Sequence, residues 1–158
     1  MSLVLDDDAL EAFVRAQRAA ARRIVFTNGV FDILHPGHLR YLQAARRHGD
    51  LLVVGLNSDA SVRRNKGPAR PINPEHERAE TLAALECVDA VSIFDADTPA
   101  AIIRRVQPDI LVKGADWPAD QIVGRDTVEA RGGRVILEPV EQGYSTTSII
   151  EKIRALPA

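Results

Sequence analysis

Apolar positions along the chain switch repeatedly between helical and strand periods, and the switching predicts an architecture. Leu10, Phe13 and Val14, with Gln17, recur at helical spacing behind the acidic start Asp6-Asp7-Asp8. They predict an amphipathic helix whose first-turn carboxylates suit its positive end. Residues 23–27 then read as a short buried strand broken by Asn28-Gly29, and residues 37–47 as a helix with Leu39, Leu42 and Ala45 on one face. Leu51-Leu52-Val53-Val54-Gly55-Leu56 is apolar at every position, which suits a strand covered on both faces. Residues 57–73 are polar, basic and broken by glycine and proline, and predict a long loop with one helical turn. Asn73-Pro74 looks like an N-cap with proline at the first helical position, opening a helix to about residue 85.

The alternation continues to the C-terminus. Residues 90–94 form a strand, Thr98-Pro99 caps a helix through Val106, and residues 110–113 and 134–137 form two more strands. A helix between those two ends near Gly132-Gly133. A last helix starts near Ser145, with Ile149, Ile150 and Ile153 on one side and Ser148 and Glu151 at capping-box spacing. Five strands alternating with helices predict an α/β fold. It is a single-domain, Rossmann-like sandwich with a parallel five-stranded sheet and helices on both faces. Residues 1–22 are expected as an N-terminal helical segment and residues 23–158 as the domain proper. A helical segment ahead of the first strand of the domain can pack on a partner subunit, so a homodimer is among the expected partners. In such sheets ligands bind beyond the carboxyl ends of the strands.

Composition narrows the function. With 158 residues, 46% hydrophobic, the chain can bury a core without staples. Its 20 basic and 22 acidic residues leave a net charge of -2, which argues against nucleic-acid and membrane-surface roles, so an anionic ligand must be met by local charge. Cys87 is the single cysteine and reads as a small buried residue. No apolar run reaches membrane-spanning length, and the start lacks the basic and small-residue marks of a signal peptide. A cytoplasmic location is the default expectation.

The candidate chemistry gathers at strand ends. Thr27-Asn28-Gly29-Val30-Phe31-Asp32-Ile33-Leu34-His35-Pro36-Gly37-His38 leaves the first strand of the domain and enters a helix. A helix N-terminus offers free N–H groups and a positive dipole end, glycines permit close backbone approach, and two histidines three apart can both donate to phosphate oxygens. Neither a G-x-G-x-x-G fingerprint nor a P-loop is present, which counts against a dinucleotide oxidoreductase. Arg63, Arg64, Lys66 and Arg70 form a basic loop able to close over phosphates. Lys113-Gly114-Ala115-Asp116 puts a lysine at the end of an apolar strand, where an anion would explain it. Ser145-Thr146-Thr147 offers hydroxyls at a helix start, as a cap or a phosphate contact.

The first string resembles the signature of the cytidylyltransferase-like superfamily, whose H-x-G-H motif contacts nucleotide phosphates. Lys66-Gly67-Pro68-Ala69-Arg70-Pro71-Ile72 with Glu77-Arg78, the stretch from Asp109 to Asp116, and Gly143-Tyr144-Ser145-Thr146-Thr147-Ser148-Ile149 are similar to that family's later motifs, in its order. The wording is most similar to its heptose 1-phosphate adenylyltransferase branch. With no room for a sugar kinase, the expected form is the stand-alone one. Glycerol-3-phosphate cytidylyltransferases are also similar but carry an arginine shortly before the Ser-Thr-Thr, and residues 139–144 here have none.

The resemblance implies transfer of AMP from ATP to a sugar 1-phosphate with release of pyrophosphate, assisted by Mg²⁺ and with no metal site of the protein's own. It implies catalytic roles for His35, His38 and Lys66. Nucleotide contacts would come from Thr27, Asn28, Gly29, Phe31, Gly37, Lys113, Gly114, Asp116, Ser145, Thr146 and Thr147, and acceptor contacts from Asp32, Arg70 and Arg78. The alternatives are the glycerol-3-phosphate activity and a nucleotide-binding regulatory module without turnover.

Overall fold

A computed structural model describes residues 3–158. Six parallel strands form one sheet: β1 (Leu3–Val4), β2 (Ile24–Gly29), β3 (Leu51–Asn57), β4 (Ala90–Phe94), β5 (Ile110–Gly114) and β6 (Arg134–Glu138), in the order β1-β4-β3-β2-β5-β6. Seven helices accompany them: α1 (Asp7–Ala19), α2 (Pro36–Arg46), α3 (Asp59–Lys66), α4 (Glu75–Ala83), α5 (Ala100–Val106), α6 (Arg125–Glu129) and α7 (Thr146–Arg154). Successive side chains of a strand face opposite ways, and both faces are covered. Ile24, Phe26, Leu51 and Val53 pack with Leu10 and Val14 of α1, Ile103 of α5 and Val128 of α6. Val25, Leu52 and Val54 pack with Leu42 of α2 and Leu82 of α4. The all-apolar run of β3 follows from this, since every one of its residues is buried.

The sheet has six strands where the sequence predicts five. The extra one, β1, is only two residues long and pairs with β4 at the edge, too short to show a period. Helix α1 forms as expected, capped by Asp6, whose carboxylate accepts from Ala9 N. Its Leu10 and Val14 are buried in the chain's own core.

Residues 57–73 depart most from expectation. Instead of a loop with one turn they contain α3, whose N-cap Ser58 accepts from Ser61 N at 3.0 Å. Asp59 lies in its first turn and Arg63, Arg64 and Lys66 in its last, which suits the helix dipole. Val62 is its one buried apolar side chain, so hydrophobic periodicity could not reveal it. Gly67, at φ 93, ends it in a conformation that side chains rarely adopt. The cap of α4 also differs. Pro74 stands at that position without a side-chain bond, and the Asn73 amide donates to the Asp32 carbonyl instead. Similarly, Pro99 rather than Thr98 precedes α5. A 3-10 turn over Ala119–Gln121 and the short α6 replace one longer helix. The cap of α7 is Ser145, accepting from Ser148 N, so Ser148 is third in the helix rather than the head of a capping box.

Candidate active site

A cleft of about 780 Å³ opens beyond the carboxyl ends of β2, β3 and β5. This is where the strand order reverses, with β2 joined to β3 on one side and β5 on the other. The sheet therefore collects in one place motifs that lie far apart in the chain. Asn28, Gly29, Phe31, Asp32, His35, Gly37 and His38 line it from β2 and α2. Lys66 and Arg70 line it from α3 and the following loop, Lys113, Gly114 and Asp116 from β5, and Ser145, Thr146 and Thr147 from the start of α7.

The two histidines form a stacked pair, ring centroids 3.7 Å apart. His35 is the N-cap of α2, its Nδ1 accepting from His38 N at 3.4 Å. An Nδ1 that accepts must place the proton of a neutral ring on Nε2. One residue thus serves as a cap and still has an N–H to offer. Burial, and next the neighbouring His35, push the His38 pKa down to about 4, and burial lowers that of His35 as well. Both rings are neutral donors near pH 7. His38 Nδ1 is buried without a partner. Phe31 holds the loop ahead of α2 in a left-handed turn, φ 46, with its ring edge-on to His38 at 5.3 Å. Gly37 is required by contact: a Cβ there would lie 2.9 Å from Tyr144 Cβ and 3.0 Å from the His35 ring.

Asp32 is buried, and its carboxylate accepts from Arg70 Nε at 2.7 Å, Ile72 N at 2.8 Å and Asn73 N at 2.9 Å. Burial opposes its charge, but these donors outweigh it and hold the pKa below the usual carboxylate range. Its oxygens are thus occupied in fixing the loop that carries Arg70. Of the basic cluster, only Lys66 and Arg70 line the cleft. Arg64 is bound to Asp97 and to the Asp95 carbonyl, and Arg63 is exposed outside it.

Two expected site residues lie behind the walls. Thr27 is fully buried, its hydroxyl donating to the Val112 carbonyl at 3.0 Å and bonded to the Tyr41 hydroxyl at 2.8 Å, because its side chain faces α2 rather than the strand end. Arg78 is also buried. It donates to the carbonyls of Asn73, Val30 and Asn57 and pairs with Asp59 at 2.7 Å, leaving little to offer a ligand. The sequence motif fixed its identity, but only the surrounding carbonyls define its work.

Lys113 ends its apolar strand by donating to Asn28 Oδ1, and burial lowers its pKa to about 8. Sequence reasoning missed several wall residues, among them Trp117, Tyr144, Asn57 and Gln121. Trp117 is 56% exposed on the rim, and Tyr144 sits under the Arg40 guanidinium, 5.5 Å from its ring centre. Arg40 also pairs with Glu141, so the loop before α7 is clasped to α2. A single exposed aromatic following the Asp116 motif was the available signal. Among the described residues, no three or more His, Cys, Asp or Glu side chains gather to hold a metal ion. No helix among the described residues is long and apolar enough to cross a membrane.

The chain is similar to known proteins. The chain is 60% identical over 147 residues to the Bifunctional protein HldE of Geotalea uraniireducens and 55% identical over 152 residues to that of Trichlorobacter lovleyi. These matches cover 93% and 96% of this chain but 30% and 31% of the relatives, so the chain spans about a third of their length. The crystal structure of the lipopolysaccharide core biosynthesis protein from Thermoplasma volcanium is similar at a TM-score of 0.63 and 31% identity, over 78% of this chain and 99% of that one. Pantoate-beta-alanine ligase from Francisella tularensis, complexed with beta-gamma ATP and beta-alanine, shares the fold at a TM-score of 0.65 and 14% identity, over 98% of this chain and 77% of that one. The cytidylyltransferase-like family model matches residues 26–152, a span that holds the histidine pair, the Lys66 and Arg70 segment, the β5 end and the start of α7. The chain belongs to the cytidylyltransferase-like family.

Proposed function

We propose that the protein is an adenylyltransferase that joins AMP from ATP to a sugar 1-phosphate, heptose 1-phosphate being the expected acceptor, and releases pyrophosphate. The observation that carries this is the stacked His35–His38 pair at the start of α2, facing a cleft that also receives Lys66 and Arg70. An acceptor phosphate oxygen attacks the α-phosphorus of ATP in line. The bond to the bridging oxygen breaks, and its electron pair leaves with pyrophosphate. No protein nucleophile is needed, so catalysis is positioning and charge stabilisation. His35 and His38 donate to the phosphate oxygens, and Lys66 neutralises them. Mg²⁺ arrives with the nucleotide.

Asn28, Gly29, Phe31, Gly37, Lys113, Gly114, Asp116 and the Ser145-Thr146-Thr147 hydroxyls are assigned to the nucleotide. Arg70 is assigned to the acceptor, with Asp32 acting through it. A cytosolic biosynthetic setting fits this reading. The heptose acceptor is supported by the HldE relatives and the lipopolysaccharide core biosynthesis protein. Against glycerol 3-phosphate stands the missing arginine of residues 139–144, which neither Arg40 nor Arg125 is free to replace. Arg40 beside that segment is matched by Glu141, and Arg125 is tied to Glu129 and the Ala119 carbonyl. The test is pyrophosphate release across four nucleoside triphosphates against heptose 1-phosphate, glycerol 3-phosphate and ethanolamine phosphate. ATP with heptose 1-phosphate is expected to give the highest kcat/KM. A higher value for CTP with glycerol 3-phosphate overturns the acceptor, and no release from any pair leaves a regulatory module.

A further inference from the structure

We propose that Lys113 is a catalytic residue, the full positive charge that meets the transferred α-phosphate at the centre of the cleft. The proposal rests on the nucleotidyl-transfer reading and assigns within it one contact to the reacting atoms. Its first support is position. β2 and β5 are neighbours in register, Phe26 beside Leu111, and two residues further on the Lys113 ammonium bonds Asn28. From this point the chain leads one way, through β3, to Lys66 and Arg70, and the other way, through β6, to Ser145. A group at the middle of the crevice faces the phosphorus being transferred rather than either end of the two substrates.

Charge is the second support. The other cations on this cleft are matched or solvated: Arg70 pairs with Asp32, and Lys66 is exposed. Lys113 is half-buried, and its partner is a neutral amide. The ionisable groups that share the cleft walls with it include His35, His38, Tyr41 and Asp116, and Glu138 follows its β6 register partner Leu137. Glu138 is taken by His48, and none of these carboxylates is in ion-pair contact with the lysine. A sheltered ammonium without an anion is costly, and an anionic ligand would complete it.

The third support is chemical. His35 and His38 are neutral near pH 7 and can donate hydrogen bonds without supplying net charge. Negative charge accumulates around the α-phosphorus as the acceptor oxygen bonds to it and the pyrophosphate oxygen departs. Lys113 answers that charge through hydrogen bonds and exchanges no proton with substrate.

The experiment compares wild type with Lys113→Met and Lys113→Arg in two measurements. Proton uptake on binding MgATP is read by calorimetry at about pH 8.5, in buffers of different ionisation heat. Wild type is expected to take up part of a proton, because the triphosphate raises a pKa that starts near 8, and Lys113→Met none. In turnover, Lys113→Met is expected to lose roughly a hundredfold in kcat with KM for ATP changed only a few-fold, and Lys113→Arg to recover part of it. Uptake unchanged in Lys113→Met, or a loss confined to KM for ATP, overturns the proposal. So does a Lys113→Met chain that fails to fold, since removing an unmatched cation should not destabilise the sheet. The uptake arm uses no acceptor. If wild type releases no pyrophosphate with any acceptor, the functional reading fails while the Lys113 contact is still judged by uptake.

Discussion

Replacing Arg78 by methionine separates a structural brace from a substrate contact. The guanidinium donates to the carbonyls of Val30 at 2.8 Å, Asn57 at 2.9 Å and Asn73 at 2.9 Å, and pairs with Asp59 at 2.7 Å. It thereby ties the β2 exit, the β3 end, the start of α3 and the loop before α4 to one side chain. Methionine fills the alkyl volume but bares three carbonyls, each costing ~1–3 kcal/mol if left dry. Two features reduce that sum. Asp59, with its side chain 23% exposed, can turn to solvent, and the neighbouring pocket of about 220 Å³ can admit water. The net loss should then be ~3–5 kcal/mol, the usual cost of breaking a buried pair. For a chain of this size that is a fall in Tm of roughly 6–20 °C. Thermal melts followed by circular dichroism, with urea midpoints beside them, measure it. Arg78→Lys should recover less than half, since an ammonium cannot fork to these acceptors. A Tm change under about 3 °C together with a tenfold rise in acceptor KM would refute the brace and restore a substrate role.

Other outcomes follow from the same geometry. His35→Ala and His38→Ala should each lower kcat by about two orders of magnitude, ~2.7–4 kcal/mol, read in steady-state assays. Only His35→Ala should also cost ~1 kcal/mol of stability, because His35 caps α2; equal melts for the two variants would count against that. The depressed His38 pKa gives a signed pH effect. Between about 6.5 in the unfolded chain and about 4 in the folded one, the unfolded state binds the extra proton, so stability falls as pH drops through that window. The loss is on the order of 1–3 kcal/mol, and His38→Gln should flatten the slope in urea titrations. Limited proteolysis without nucleotide should cut at residues 67–69, between the end of α3 and the Asp32 anchor, and MgATP should slow it. Equal rates with and without MgATP would remove the case for closure there.

The alternation of fully apolar runs with amphipathic segments determined the fold class from the sequence alone. A strand such as β3, apolar at every position, is stable only when helices cover both of its faces. The same local signals located the strand-to-helix junction at His35, where polar and glycine residues interrupt the pattern. What escaped the sequence has equally physical causes. The two residues of β1 are too few for a period, and α3 has one buried apolar side chain because its caps and dipole charges hold it. Thr27 stands in a chemistry-bearing string, yet strand geometry turns it inward to Tyr41. Arg70 and Arg78 carry charges that read alike in a sequence, and Asp32 reads there as one more free carboxylate. Tertiary structure decided that Asp32 spends its oxygens on the Arg70 loop, that Arg70 keeps a face on the cleft, and that Arg78 is consumed by three carbonyls. Periodicity records which face of an element is buried. The partner of a buried polar group is set by chain segments brought near from elsewhere, and no local pattern encodes that distance.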